Sequence, residues 1–409
     1  LGIGFDHPNY EEFYERLNRL RSVRDYQMPV QSVSSNDYET VAEIFARVNT
    51  GGRRLSKGDL VMSAIAARWD EGVERVEAFE TELRDQDFPL HREAVLRLMS
   101  VMAGVGADHV RLLRKEMDGP ALKQAWETTQ DALRVGIQFL KNDAGIPKSG
   151  LLTSPNVTVV PSYLLHKGRE RLSPREAELL VRWTYTAMAF SRYSNQVESK
   201  LDAEIKVLDE RRGEEALTDL IRRASDPRPV GTPLTSSDLL DKKSSSALFH
   251  LMYIRALRSK AKDWWNNLAL ADTPVGRGHK IEYHHIFPKA RLKGRYTSDL
   301  VDSVANLAFL SALGNKRVSA RDPAKYLANA DSQELNKQWI PSDKILWDVA
   351  KFEQFLGARR TLIADALNEM LGLKDQTSTA DLGQTVGEDP EDAVIDELQE
   401  ESDELWTEE

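Results

Sequence analysis

The sequence predicts a mainly α-helical protein of several domains, with a short β-containing segment towards its C-terminal end. From residue 71 to 265, apolar residues recur at helical spacing with few breaks. From 266 to 345 the pattern changes to short β-like runs, a pair of histidines and basic loops. The 409 residues suffice for two or three domains, at roughly 100–200 residues each.

Capping signals mark the start of two predicted helices. Ser56 and Asp59 have the spacing of a capping box, which predicts a helix that runs to Trp69. The segment Ser173–Glu176 has the same spacing, with a proline at the first helical position. A last amphipathic helix is predicted from about residue 343 to 371.

Composition excludes several classes of protein. The chain has no cysteine, so it has neither disulfides nor thiolate metal sites. No segment reaches the ~20 consecutive apolar residues of a membrane span, and no signal-peptide pattern opens the chain. We therefore expect a cytoplasmic protein with no membrane partner.

The formal net charge of -10 is divided unevenly along the chain. Of the 65 acidic residues, 14 lie in 375–409, which has no Lys or Arg; this leaves 51 acidic against 55 basic residues in 1–374. The body is therefore mildly basic and can approach DNA, whereas the tail repels it. We expect the acidic tail, 373–409, to be disordered, because it has few apolar residues. Either it is a solubilising end, or it competes with DNA for the basic surface.

The strongest chemical signal is a pair of adjacent histidines. His284 and His285 end a short apolar-polar run and are followed by Pro288, with Asn306 and Asn315 further along the chain. Neighbouring side chains on an extended segment point to opposite faces. One histidine can then face a water molecule while the other faces a metal ion.

These residue types suit phosphodiester hydrolysis. A neutral histidine, with an unperturbed pKa of about 6.5, can act as a general base at cellular pH. A divalent cation can neutralise the phosphate and stabilise the leaving oxygen, and the amide oxygen of Asn315 is a ligand that hard cations accept. Mg²⁺ is the expected cofactor from its cellular availability, and a histidine ligand also admits Mn²⁺, Co²⁺ or Ni²⁺.

Basic residues cluster around the histidine pair and are opposed by one acid, Glu282. They are Arg277, Lys280, Lys289, Arg291, Lys293 and Arg295. Lys316 and Arg317 follow Asn315 directly. Such a cluster is either a solvated face or a set of contacts to phosphates. Beside the histidine pair we favour phosphate contacts, which predict strong salt dependence of DNA binding.

The motif H-H-I-F-P, with the later Asn and Asn-Lys, resembles the HNH or His-Me finger nuclease motif, in the H-x-x-P variety of GmrSD-type restriction enzymes. The resemblance implies a ββα-metal nuclease domain. It makes His285 the general base and Asn306 the residue that orients the base-bearing loop. It makes His284 and Asn315 the metal ligands, and one of the two cations after Asn315 would contact the scissile phosphate.

A second resemblance lies nearer the start of the chain. Y-Q-M-P-V and V-A-E-I-F-A-R-V-N-T-G-G-R-R-L-S-K-G-D-L are similar to the ParB-like domain of the same enzymes. R-Y-S-N-Q-V-E-S-K-L-D, from Arg192 to Asp202, is similar to a stretch late in their helical region. The D-G-Q-Q-R motif that the family uses for nucleotide binding does not occur here. We therefore expect a partial ParB-like α/β domain, and a nucleotide partner only in the full-length protein.

The sequence thus predicts four parts: the C-terminal part of a ParB-like domain in 1–70, a helical domain in 71–265, an HNH nuclease domain with a flanking helix in 266–372, and the acidic tail in 373–409. The resemblance implies a metal-dependent DNA endonuclease of bacterial defence that restricts modified or phage DNA. The alternatives are a DNA- or partner-binding module with a vestigial nuclease site, and an RNase. The sequence leaves open whether the enzyme nicks DNA or cuts both strands, and which modification it senses. It also leaves open whether the protein has a homo-oligomeric or defence-system partner.

Overall fold

Helices dominate the structure, a computed structural model that describes residues 7–27, 44, 56–167, 172–226, 228–229, 231–270 and 281–373. These residues contain one small sheet of two strands, and none of their helices is both long and apolar enough to cross a membrane. The prediction of a mainly α-helical chain is confirmed. The chain divides into two compact units, Leu1–Phe79 with Val95–Thr128 and Glu80–Ala94 with Thr129–Glu409.

The helices and strands of the described residues follow the chain in a simple order. They are α1 (Tyr10–Ser22), α2 (Lys57–Arg68), α3 (Gly72–Asp85), α4 (Arg92–Met102), α5 (Gly119–Asn142), α6 (Val159–Lys167), α7 (Pro174–Ala189), α8 (Val197–Glu210), α9 (Gly213–Ser225), α10 (Ala247–Arg258), β1 (Ile281–His285), α11 (Lys289–Leu292), α12 (Ser298–Val301), β2 (Leu307–Ser311), α13 (Ala312–Val318), α14 (Pro323–Leu327), α15 (Ser332–Lys337) and α16 (Phe352–Leu371).

In the first unit, α2 begins at the predicted capping box. The Ser56 hydroxyl accepts a hydrogen bond from the backbone N–H of Asp59 at 3.1 Å, and the Asp59 carboxylate accepts one from the backbone N–H of Ser56 at 2.9 Å. The helix ends at Arg68, with Trp69 as its C-cap. The Arg68 guanidinium donates to the Leu113 carbonyl at 2.7 Å. The predicted start of this helix is confirmed, and its end lies one residue before the predicted Trp69.

In the second unit, α7 also begins where the sequence predicts. The Ser173 hydroxyl accepts from the backbone N–H of Glu176 at 3.1 Å, and the Glu176 carboxylate accepts from the backbone N–H of Ser173 at 2.6 Å. Trp183 of the same helix is fully buried. On α8 the buried Glu204 carboxylate accepts from Arg192 Nε at 2.9 Å. This charge pair ties α8 to the loop that follows α7.

The small sheet lies in the second unit and consists of β1 and β2. The strands run antiparallel, with His284 opposite Ala308. The helix α13 begins directly after β2, so the order in the chain is strand, strand, helix. The Gln338 side chain accepts from the backbone N–H of Phe309 at 2.8 Å and donates to its carbonyl at 3.0 Å. The free edge of β2 therefore has a side-chain partner instead of a third strand.

The core behind the sheet joins α16 to the loop that follows β1. The Phe287 ring packs against those of Phe352 and Phe355, with centroids 5.1 and 4.8 Å apart. Arg359 of α16 is fully buried and donates to the Leu307 carbonyl at 2.7 Å. The helix therefore holds both the loop after the histidine pair and the start of β2.

The last helix starts later than predicted. It begins at Phe352 rather than near residue 343. The Asp343 carboxylate accepts from the backbone N–H of Ile345 at 3.0 Å, and the Asp348 carboxylate accepts from that of Ala350 at 2.8 Å. These aspartates cap two short 3-10 turns in succession, because an Asp side chain competes with the helix for backbone N–H groups.

Several predictions fall outside the described residues. These are most of the two segments that resemble the ParB-like domain near the start of the chain, the cations Arg277 and Lys280, and the acidic tail from residue 374 onwards.

Candidate active site

His284 is buried near the end of β1, at 2% exposure. Its Nδ1 lies 2.8 Å from Asn315 Oδ1, and its Nε2 lies 3.3 Å from the Tyr326 hydroxyl oxygen. That hydroxyl donates to the Ile286 carbonyl at 2.7 Å. Burial is the largest effect on the His284 imidazole and lowers its pKa to about 4. The ring is therefore neutral at cellular pH, which is the form that binds metal ions.

Asn315 lies on α13, and its side chain bridges two residues of β1. Its Oδ1 faces His284, and its Nδ2 donates to Glu282 Oε2 at 2.7 Å. Glu282 and His284 are two positions apart on a strand, so their side chains leave the same face. Asn315, on the helix after β2, thereby completes a cluster of three polar side chains with Glu282 and His284.

A buried carboxylate fixes the start of α13. Ser311 is the N-cap, and its hydroxyl accepts from the backbone N–H of Gly314 at 3.1 Å. Asp263, 1% exposed, accepts from the Ser311 backbone N–H at 2.9 Å and from the Ser311 hydroxyl at 2.6 Å. A Cβ on residue 314 would lie 2.2 Å from Asp263 Oδ2, so this close approach requires glycine. The capping network sets the position of Asn315 one residue later.

The separation of the donor atoms of His284 and Asn315 is compatible with a divalent cation as well as with a hydrogen bond. Two adjacent ligands of an octahedral Mg²⁺ ion, each at ~2.1 Å from it, stand about 3 Å apart. The separation of Nδ1 and Oδ1 is close to this, at 2.8 Å. An imidazole nitrogen with an amide oxygen is a pair that Mg²⁺, Mn²⁺, Co²⁺ or Ni²⁺ accepts. His284 and Asn315 are therefore the residues that would hold the ion.

His285 has a different partner from His284. Its Nε2 lies 2.8 Å from Asp302 Oδ1, and the same oxygen lies 2.7 Å from Lys289 Nζ. The hydrogen bond from Lys289 is the largest effect on Asp302 and lowers the pKa of this carboxyl, so Nε2–H donates to a charged group. Burial lowers the pKa of His285, which keeps the ring neutral with a lone pair on Nδ1. Because the side chain is 23% exposed, solvent can reach it.

Asp302 is a functional candidate that the sequence analysis missed. It lies 17 residues after His285, at the C-cap of α12, and no motif spacing marks it. The available signal was weak: Asp302 is one of two aspartates, with Asp299, between the basic run and Asn306. Tyr326, 42 residues after His284, was missed for the same reason.

Asn306 is fully buried and holds the loop that follows His285. Its Oδ1 accepts from the backbone N–H of Phe287 at 2.8 Å, and its Nδ2 donates to the carbonyls of Phe287 at 3.1 Å and Val301 at 2.9 Å. Its own carbonyl accepts from the backbone N–H of Ile286 at 2.8 Å. These hydrogen bonds fix the backbone on the C-terminal side of the histidine pair.

The cations singled out in the sequence are mostly exposed. Lys289 pairs with Asp302, and Arg291 Nε donates to the Ala320 carbonyl at 2.8 Å. The others that the structure describes have no hydrogen bond or ion pair from their side chains to another described residue: Lys293, Arg295, Lys316 and Arg317. A cavity of about 420 Å³ beside α11 is lined by Arg291, Arg295, Asp322, Ala324, Asp348 and Val349. The segments that follow the histidine pair and Asn315 thus carry exposed positive charge that the described residues only partly pair.

Comparison with known proteins adds one distant relative. No family model matches the chain. The chain is 21% identical over 341 residues to a protein of Methanocaldococcus jannaschii named Uncharacterized protein MJ0686. The match covers 79% of this chain and 56% of that protein, so the chain spans little more than half of its length. A similarity at this level does not assign a family.

Proposed function

We propose that this chain is a metal-dependent endonuclease that hydrolyses DNA phosphodiester bonds, with His285 as the general base. The observation that supports it best is the strand–strand–helix arrangement in which His284 Nδ1 and Asn315 Oδ1 lie 2.8 Å apart. The next residue of the same strand is a second histidine, and its Nε2 is hydrogen-bonded to the Asp302 carboxylate. Titratable groups with shifted pKa values and defined partners are common at catalytic sites.

In this mechanism His285 takes a proton from water. Its Nδ1 accepts the proton while the water oxygen forms a bond to phosphorus and the bond from phosphorus to the leaving oxygen breaks. Asp302 holds Nε2–H, orients the ring and stabilises the imidazolium that forms. The hydrogen bonds of Asn306 keep the loop after His285 in place.

The remaining residues neutralise phosphate charge. A divalent ion held by His284 and Asn315, Mg²⁺ by availability, would supply positive charge to the phosphate and to the leaving oxygen. The exposed cations that follow the histidine pair and Asn315 contact the phosphate backbone without reading sequence.

The domain plan and the biological role belong to the same proposal. We assign residues 266–372 to a His-Me finger nuclease domain and 1–70 to the C-terminal part of a ParB-like domain, as in GmrSD-type restriction enzymes. The H-H-I-F-P motif and the two later asparagines support this assignment. The role would then be restriction of modified or phage DNA in bacterial defence.

A plasmid-cleavage assay tests the proposal. Wild-type protein should nick or linearise supercoiled DNA with Mg²⁺ or Mn²⁺, and EDTA should abolish the activity. His285→Ala should lower the rate by about 10²–10⁴-fold and keep DNA binding, whereas His91→Ala, an exposed histidine of the same unit, should cut at the wild-type rate. Cleavage by His285→Ala at the wild-type rate, or cleavage that EDTA does not affect, would contradict the mechanism.

The rival readings give different outcomes in the same assay. A DNA- or partner-binding module with a vestigial site would bind DNA and leave it uncut under every condition. One observation favours this rival: both imidazole nitrogens of His284 already contact protein groups. An RNase would cut RNA in a parallel reaction and leave the plasmid intact.

A further inference from the structure

Glu282 belongs to the candidate site by geometry, although the mechanism above gives it no role. A continuous chain of contacts runs from Glu282 Oε2 to Asn315 Nδ2 at 2.7 Å, and from Asn315 Oδ1 to His284 Nδ1 at 2.8 Å. It continues from His284 Nε2 to the Tyr326 hydroxyl at 3.3 Å, which donates to the Ile286 carbonyl. Each end of the Asn315 amide therefore faces a different residue of β1.

The direction of this chain follows from the chemistry of its first member. A carboxylate oxygen accepts hydrogen bonds, and the Asn315 amide turns its NH₂ group to Glu282 Oε2 at 2.7 Å. The amide oxygen is then left facing His284, and the imidazole must present Nδ1–H to it. The reversed amide would place its oxygen against the carboxylate, where two acceptors repel each other.

We propose that Glu282 is a positioning residue that fixes the orientation of the Asn315 amide and so keeps its oxygen on the side of His284. This rests on the proposed function, in which that oxygen is a metal ligand. Glu282 acts through Asn315 and is not itself a ligand. Residues that hydrogen-bond to a metal ligand without contacting the ion typically change metal affinity by about 10–100-fold when they are removed.

The rest of the chain of contacts is compatible with a bound ion. A metal held at His284 Nδ1 would need that nitrogen unprotonated, with the ring proton on Nε2. Nε2–H faces the Tyr326 hydroxyl oxygen, which can accept it because the hydroxyl proton already points to the Ile286 carbonyl. The Tyr326 hydroxyl oxygen would therefore accept a hydrogen bond from the ring when its proton is on Nε2.

The first test needs neither metal nor DNA. The chain has eight histidines, and ¹⁵N-histidine NMR of the metal-free full chain reports the tautomer of each ring, with the His284 signal assigned from His284→Gln. Wild-type protein should show the Nδ1–H tautomer at His284. Glu282→Gln should show a mixture, because a glutamine amide can meet Asn315 in either orientation. An unchanged tautomer in Glu282→Gln would overturn the proposal.

The second test separates positioning from direct ligation. Glu282→Gln should weaken Mn²⁺ binding by about 10–100-fold in calorimetry, with an unchanged melting temperature. The exposed Glu353→Gln is the control for the same change of charge and should bind Mn²⁺ like the wild type.

A double-mutant cycle then uses Asn315→Asp, whose two carboxylate oxygens are equivalent and need no orientation. In that background Glu282→Gln should leave Mn²⁺ affinity unchanged or improve it. An equal loss in both backgrounds, or no loss in either, would overturn the positioning role. A wild-type chain that cuts no DNA would count against the proposed function alone, because neither readout requires cleavage.

Discussion

At the scale of single residues, the two histidines are neighbours whose surroundings give them different chemistry. Burial holds the pKa of His284 at about 4, so this ring stays neutral and suits a ligand. His285 donates Nε2–H to Asp302 at 2.8 Å and is partly open to solvent, so it can accept a proton and keep it. The proposed division of roles between the two rings follows from burial and partner, and the sequence alone could not separate them on those grounds.

The partner of His285 gives a direct prediction. Asp302→Asn removes the charge that stabilises the imidazolium, and kcat should fall by about 10²-fold, while Mn²⁺ affinity and DNA binding stay at the wild-type level. Asp299→Asn is the matched control, because Asp299 is 85% exposed and pairs with Lys243 instead of His285. Single-turnover cleavage by the three proteins measures the effect. If Asp302→Asn cuts as fast as Asp299→Asn, the base needs no carboxylate partner.

At the scale of secondary-structure elements, the start of α13 determines where Asn315 lies. Gly314→Ala should destabilise the protein by about 1–3 kcal/mol, because the new Cβ would meet Asp263 at 2.2 Å. Gly357→Ala is the control on α16, where an added Cβ meets nothing within 4 Å. It should stabilise the protein by about 0.5–1 kcal/mol, since alanine costs less entropy than glycine in a helix interior. Urea unfolding of both variants checks the opposite signs.

Elements that depend on local signals could be predicted from the sequence. The capping boxes of α2 and α7 join residues only three positions apart, and both helices start where they were expected. The predicted start of α16 was wrong because two aspartates cap 3-10 turns that precede the helix. The sequence does not show whether such an aspartate caps a turn or a helix. Contacts between positions far apart in the sequence, such as His285 and Asp302, form only in the folded chain and could not be predicted from the sequence.

At the scale of the whole molecule, the distribution of charge bears on the proposed binding of DNA. The body of the chain is mildly basic, and Lys293 is one of the exposed cations near the histidine pair without a partner among the described residues. Lys293→Ala should weaken binding to all DNA sequences alike and should lower the slope of log K against log salt by about 1. Lys123→Ala, an exposed lysine of the first unit, should leave the slope unchanged. Equal slopes for both variants would contradict the proposed contact between Lys293 and a phosphate.

The proposed metal site depends most on two donor atoms, His284 Nδ1 and Asn315 Oδ1, which lie 2.8 Å apart. Crystals of the protein grown with Mn²⁺ and measured at the manganese absorption edge would locate the ion by its anomalous signal. The proposed site predicts a peak within ~2.0–2.3 Å of both atoms, at the distances of divalent-ion ligands. A peak elsewhere in the chain, or none while the two side chains keep their 2.8 Å contact, would contradict it.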